Sequence, residues 1–373
     1  MGKPRLPDVE KQEMLDLTML LLTLLLTALG LVMIYSSSFA RALYESGDSA
    51  YYFKRQGIFA LVGTAAMLAI SRVRPELIRK MAFPVLGVSI LILVFVPGIG
   101  RAENGATRWV SLGISFQPSE VAKLGVILSF AAMITRFGEN METFRWGIAP
   151  FAGILAVIVV LLRLEPHNSA IVIIACTAGA MLFLGGVKYR WFILGGCAML
   201  LGLVLILGAG GYEASRITAR QDPFSDPTDD GYQIIQSLYA IGSGGLFGLG
   251  FGQGRQKYLY LPEEHNDYIF SIACEELGLT GAAAILLLYA LLILRGYWIS
   301  MHIRDRFLSL TVAGLTTLTA LQVFFNIGVV TNLLPSTGIS LPFFSYGGTA
   351  LLIQLGEMGI ILGASRQCSA GFL

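Results

Sequence analysis

Long runs of apolar residues, separated by short polar breaks, set the pattern of this chain. A helix that crosses a bilayer needs about 20 mostly apolar residues. By that measure the chain predicts about ten spans, near 16–37, 56–71, 81–98, 117–136, 147–162, 168–187, 191–210, 268–295, 308–330 and 341–364. The second and fifth are short and extend into their flanks. The eighth is long enough to tilt or to begin outside the bilayer. Ala40-Arg41-Ala42 after the first span mimics a leader-peptidase site. The preceding apolar run is too long for the core of a signal peptide, so it predicts an uncleaved first helix.

Composition agrees with the pattern. Hydrophobic residues make up 55% of the 373 positions and charged residues 13%, with a mean hydropathy of +0.70. A water-facing surface needs about 25% charge. A soluble enzyme, a disordered chain and a nucleic-acid binder are thereby excluded. The expected fold is an all-α integral membrane protein, a polytopic bundle in which 1–373 form one transmembrane domain. The net charge of +2 comes without the clustered basic surface that nucleic acid requires. Cys176, Cys197, Cys274 and Cys368 lie in apolar stretches or the tail without paired spacing, so neither a disulfide framework nor a zinc site is indicated. The 43 glycines suit close helix packing.

Lys and Arg fix the expected orientation. With the N-terminus inside, the inner segments carry Arg72, Arg74, Arg79, Lys80, Lys188, Arg190, Arg295, Arg304 and Arg306, among others. Their basic density is then more than about twofold that of the outer segments. Both termini of a multi-pass protein are therefore expected in the cytoplasm. The one large loop, about 211–266, falls on the outer face, where the chemistry is expected. Its glycine-dense run, Gly242 to Gly254, has no Walker-type lysine and no preceding strand. Those glycines suit tight turns against the bundle or close approach to a ligand.

Charges within spans are expensive and usually line a cavity. Glu120 and Lys123 are three residues apart on one helix face, near the outer end of the fourth span. They are a substrate-binding pair or an internal ion pair that orders the bundle. Glu275 and Glu276 lie about two turns into the eighth span and point in different directions. They are therefore not expected to face one site; one should pair with a neighbouring helix. Glu357 lies in the tenth span. His265 either contacts substrate or caps a loop hydrogen bond. Asp267 sits where the outer loop meets the eighth span. It is either an N-cap or a partly desolvated carboxylate whose raised pKa suits a base.

Four segments resemble the SEDS family (shape, elongation, division and sporulation). They are NGATRWVSLGISFQPSEVAKL at 104–124, DDGYQIIQSLYAIGSGGLFGLGFGQG at 229–254, QKYLYLPEEHNDYIFSIACEELG at 256–278 and NIGVVTNLLPSTGISLPFFSYGGTALL at 326–352. The third and fourth look closer to the FtsW and SpoVE branch than to RodA. The resemblance implies a peptidoglycan glycosyltransferase that polymerises lipid II on the outer face of the cytoplasmic membrane. It implies a class B penicillin-binding protein as partner, with other division or elongation proteins alongside. The family's essential aspartate falls on Asp267. Two departures stand out: the usual His-Thr-Asp reads His265-Asn266-Asp267, and a common Gln-Pro-Asp reads Glu165-Pro166-His167.

In that reaction the 4-hydroxyl of an acceptor GlcNAc attacks the anomeric carbon of a donor MurNAc and expels undecaprenyl pyrophosphate. A β-linked product from an α-linked donor requires one base and no protein nucleophile, unlike a retaining glycosidase. Asp267 is the expected base. Cations should meet the charge developing on the leaving group. The candidates are Arg108, Lys123, Arg216, Arg220 and Lys257, with Arg108 and Lys123 favoured because the 104–124 motif contains both. A magnesium or manganese ion held through the substrate phosphates is compatible with this chemistry and leaves no protein cage to read. The lipid tail requires an apolar groove opening sideways to the bilayer. Two other readings stay open: a flippase that moves lipid II across the membrane, and a noncatalytic scaffold for a penicillin-binding protein.

Overall fold

The computed structural model describes residues 15–103, 106–111, 115–196, 222–225 and 231–368, with 99, 101–103, 106–108, 111, 115 and 225 described by backbone alone. Its helices are α1 (Leu17–Ser46), α2 (Tyr51–Ile70), α3 (Pro75–Ile99), α4 (Pro118–Phe137), α5 (Phe144–Gly147), α6 (Ala149–Leu164), α7 (Asn168–Leu184), α8 (described over 189–196), α9 (Tyr232–Gly244), α10 (Ile269–His302), α11 (Arg306–Val330) and α12 (Gly348–Ser365). Eight described helices are long and apolar enough to cross a membrane, and α7, of 17 residues, is a shorter apolar one. The expected spans other than the seventh coincide with these helices. The seventh begins within α8, and 197–210 lies outside the described residues.

The membrane part is all-α, as expected. A small antiparallel sheet links α3 to α4: β1 (Arg101–Glu103), β2 (Ala106–Ser111) and β3 (Ser115–Phe116), in the order β1-β2-β3. The described part of the large loop contains regular structure. It contains α9, whose Ile234, Ile235, Ser237 and Ala240 are buried on one face.

Helix ends are set by local chemistry. Asp16 caps α1 by accepting from the Met19 N–H at 2.8 Å, and Gly47 ends it with φ +72°. Asp305 caps α11 through the Leu308 N–H at 2.9 Å. Arg295 pairs with Asp16 at 2.8 Å and Arg79 with Asp305 at 2.8 Å, so the caps also fasten helices together at the end where α1 begins.

Helices α11, α12 and α4 are the most buried spans and form the centre. Small residues bring the helices together. A Cβ on Gly359 would lie 2.7 Å from the Met67 carbonyl of α2, and one on Gly63 would lie 2.6 Å from Leu355 of α12. Likewise Gly125 of α4 lies against the Leu86 backbone of α3, and Gly30 of α1 against the Phe343 carbonyl. An apolar groove of about 300 Å³ runs between α10 and α11, lined by Tyr289, Ile293, Val323 and Phe324 among others.

Candidate functional site

Asp267 lies in an irregular turn, 262–268, that leads into α10. The N-cap of α10 is Tyr268, one residue later, so Asp267 does not occupy the capping position. The turn is fastened from several sides. The buried Asn326 of α11 donates through Nδ2 to the Asp267 carbonyl and to the Ile339 carbonyl, each at 2.7 Å. Both amide hydrogens are thereby used, which fixes the orientation of the side-chain amide. Beside it stands Gly338, with φ +67°, where an added Cβ would be 3.3 Å from Asp267 Oδ2. A side chain there would be strained and would crowd the carboxylate.

The same turn is held on its other flank. Ser345 Oγ donates to the Asn266 carbonyl at 2.8 Å, and the Tyr346 N–H to the His265 carbonyl at 2.9 Å. The buried His265 ring packs against Tyr52 and Tyr346, with centroids 4.4 and 5.6 Å away. Arg41 grips Glu264 with two bonds, Nε at 2.7 Å and Nη2 at 2.9 Å. Burial pushes the Glu264 carboxyl up, but neighbouring His265 and the Arg41 fork overcome it and hold the group below the usual carboxylate range.

The 331–347 segment connects this turn to α4 and α7. Ser336 accepts from the Tyr268 hydroxyl at 3.4 Å, and the next residue, Thr337, accepts through its carbonyl from Ser169 at the start of α7. His167, just before α7, faces Gln117, just before α4, across 3.4 Å. Glu120 and Lys123 lie in the first two turns of α4, ion-paired at 2.6 Å and buried. Glu357 of α12 is within electrostatic reach of both. A relay of separate contacts thus runs from the Asp267 turn through the 331–347 segment to the starts of α7 and α4.

Lys257 is placed differently from a phosphate-gripping cation. It is buried and donates to Glu276 Oε1 at 2.7 Å and to Ser36 Oγ at 3.2 Å. Ser36 also donates to Glu276, at 2.6 Å to Oε2, so Glu276 does pair with a neighbouring helix. The expectation that Glu275 and Glu276 serve separate places is corrected. Glu275 accepts from the Arg255 N–H at 2.8 Å and the Gln256 N–H at 3.2 Å, and Glu276 from the Gly252 N–H at 3.0 Å. Both hold the same strand of loop, because the loop folds across the helix at that point.

The reason is a break in α10. Gly278 has φ +67° and ψ −170°, which interrupts the helix. The freed carbonyls of Glu275 and Glu276 accept from Leu249 and Gly250 N–H groups at 3.0 and 3.1 Å. In return, the Leu279 and Thr280 N–H groups donate to the Gly245 and Leu246 carbonyls at 2.9 and 3.1 Å. The glycine run permits this approach: a Cβ on Gly248 would lie 2.1 Å from the Glu276 carbonyl oxygen.

Of the remaining sequence candidates, Arg108 lies on β2 with its side chain outside the described residues, and Arg216 and Arg220 lie outside them altogether. Asn326, Gly338, Arg41 and Ser36 escaped sequence reasoning. Asn326 opens the fourth motif, but nothing in its spacing points to Asp267. Among the described residues no three His, Cys, Asp or Glu side chains converge as a metal cage.

A sequence model of the FtsW, RodA and SpoVE family, described as "Cell cycle protein", matches residues 16–370. The chain is 40% identical over 354 residues to stage V sporulation protein E of Bacillus subtilis, covering 94% of this chain and 97% of that one. It is 40% identical over 364 residues to the probable peptidoglycan glycosyltransferase FtsW of Geobacter metallireducens, covering 96% and 97%. A solved structure described as "Structural coordination of polymerization and crosslinking by a peptidoglycan synthase complex" superposes with a TM-score of 0.80 at 27% identity, covering 96% of this chain and 99% of that one. The rod shape determining protein RodA of Thermus thermophilus superposes at 0.70, also at 27% identity, covering 96% and 98%.

Proposed function

This chain belongs to the cell cycle protein family of FtsW, RodA and SpoVE, and on that premise we propose that it is a peptidoglycan glycosyltransferase that polymerises lipid II at the outer face of the cytoplasmic membrane. Its relatives named FtsW and SpoVE place it in that branch of the family. The observation that carries the mechanism is the placement of Asp267, half-buried in a turn whose backbone is pinned by Asn326. A half-buried carboxylate held this way is suited to take one proton.

In the proposed reaction Asp267 accepts the proton of the acceptor GlcNAc 4-hydroxyl as its oxygen attacks the donor anomeric carbon. The C–O bond to undecaprenyl pyrophosphate breaks, its electron pair leaves on the phosphate, and the anomeric configuration inverts. General-base help of this kind contributes about 10²–10⁴-fold. Lys257 and Lys123 are both buried and ion-paired, to Glu276 and Glu120 respectively; Lys123, in the 104–124 motif and on α4 just beyond Gln117, is the proposed candidate for countering leaving-group charge. Lys123 would exchange Glu120 for phosphate. A divalent cation accompanying the pyrophosphate would add charge neutralisation.

The solved complex with which this fold superposes is described as coordinating polymerization and crosslinking. A class B penicillin-binding protein is accordingly the proposed partner, crosslinking strands as they emerge. The buried charges Glu120, Lys123 and Glu357 favour a second reading, a lipid II flippase, since transporters place such groups near the midplane.

The test is polymerisation of purified lipid II by the protein with its transpeptidase, comparing wild type with Asp267→Asn. Polymer from wild type and a loss of at least 10²-fold in a folded variant is the expected outcome. Equal polymer from both removes Asp267 as the base. Labelled lipid II crossing the bilayer with no polymer from either establishes the flippase instead.

A further inference from the structure

The segment 231–254 contains no Asp, Glu, Lys or Arg. Within it, the loop after α9 leaves Leu246, Phe247, Leu249 and Phe251 exposed, Phe247 to 80%. A patch of this kind marks a contact surface. Its backbone is meanwhile unusually well satisfied for irregular chain. The Gly248, Leu249, Gly250 and Gln253 N–H groups find carbonyls, and the Gly252 N–H finds the Glu276 carboxylate. Non-helical chain is tolerated at the edge of a bilayer where its backbone is held against protein, and apolar side chains turned outward from such a loop suit the interfacial zone.

Depth along α10 points the same way. Arg295, paired with Asp16, marks the end of the bundle at which α1 begins. From Arg295 to Gly278 the helix rises about 26 Å, close to the roughly 30 Å thickness of a hydrocarbon core. The break at Gly278 and the loop laced into it therefore lie at the opposite boundary of the hydrocarbon. The patch is also continuous with the lipid-facing side of α10. Leu246, whose carbonyl accepts from the Thr280 N–H, adjoins Leu279, which is 61% exposed, and exposed Leu286 and Leu287 follow below.

We propose that the glycine-rich loop 245–254 is an interfacial membrane anchor, a re-entrant turn whose Leu246, Phe247, Leu249 and Phe251 insert among the acyl chains of the leaflet on the Asp267 side. Directly beyond it, Glu275 and Glu276 clamp 252–257, and the chain then runs to the 262–268 turn. The anchor thus sets the height of Asp267 above the bilayer. The insertion itself requires only that the protein spans a membrane; its use in catalysis rests on the proposed function.

Site-directed spin labelling tests this on the full chain in phosphatidylethanolamine–phosphatidylglycerol vesicles. Cysteines replace Phe247, Phe251 and, as an aqueous control, the exposed Lys54, in a background with Cys176, Cys197, Cys274 and Cys368 changed to Ala. Molecular oxygen partitions into acyl chains and a nickel chelate into water. At 247 and 251 oxygen should outweigh nickel in relaxing the label by several-fold, and at 54 the order should reverse. Nickel access at 247 and 251 equal to that at 54 overturns the proposal. So does protection that appears only when the transpeptidase is added, which would make the patch a protein interface. If the cysteine-free background does not fold, the unaltered chain decides. An apolar photoactivated diazirine dissolved in the bilayer should mark the peptide containing 245–254, and its absence from that peptide overturns the anchor. Neither readout depends on polymerisation, so loss of the anchor and loss of the enzymatic reading are separable.

Discussion

Asp267 was legible as a residue because its motif and its place at a loop–helix boundary single it out. Asn326 was not, since it meets Asp267 only after the chain has returned through α11. Its physical position is nonetheless telling. Nδ2 serves two carbonyls, while the buried Oδ1 has no hydrogen-bond partner among the described residues. An unpaired buried acceptor costs about 1–3 kcal/mol, so the residue is held at some expense for the sake of the two carbonyls. Asn326→Leu keeps the volume and removes both bonds. Polymerisation should fall toward 10²-fold, as small misplacements of reacting groups do, with KM for lipid II little changed. Steady-state kinetics on protein that remains folded would check this. A fall in KM-limited rate alone, with kcat intact, would mean that Asn326 orders substrate binding and not the base.

At the scale of elements, the apolar runs announced the spans, and the long eighth run became the 34-residue α10. The break at Gly278 was hidden because nothing in one glycine tells a tolerated helical residue from an interruption. What decides it is the partner: the 245–250 backbone that accepts and donates in place of the helix's own bonds. For the same reason helical periodicity argued wrongly that Glu275 and Glu276 serve separate places. The pairing makes a graded prediction. Gly252 and Gly248 have φ of +78° and +79°, so alanine at either carries a left-handed strain of about 1–2 kcal/mol. Only at Gly248 does the new Cβ also strike backbone, the Glu276 carbonyl at 2.1 Å, whereas nothing lies within 4 Å at Gly252. Gly252→Ala should lower Tm in detergent modestly, and Gly248→Ala by more than twice as much or prevent assembly. Equal shifts would show that the loop does not lace into the helix break.

For the whole molecule, hydropathy supplied the spans but not their neighbours, because lipid-facing and protein-facing positions are equally apolar in such helices. Which helix meets which is written instead in small residues, Gly63 and Gly359 between α2 and α12 or Gly125 between α3 and α4, and only coordinates reveal the pairing. Orientation follows from charge and from where those charges stand in space. Arg79, Arg295 and Arg306 gather at the end where α1 begins, tied to Asp305, Asp16 and the Gly185 carbonyl. Arg41, Glu264 and Asp267 belong to the opposite end. If the denser basic end stays in the cytoplasm, Asp267 lies outside, as the proposed function requires. Cysteines at Lys54 and Arg304, in the cysteine-free background, report the two ends. In intact cells stripped of outer barriers, a membrane-impermeant maleimide should modify position 54 and reach 304 only after permeabilisation. The reverse result would turn Asp267 toward the cytoplasm, where strand synthesis on the outer face cannot use it, and the polymerase mechanism would fail at its geometry, whatever the chemistry of the carboxylate.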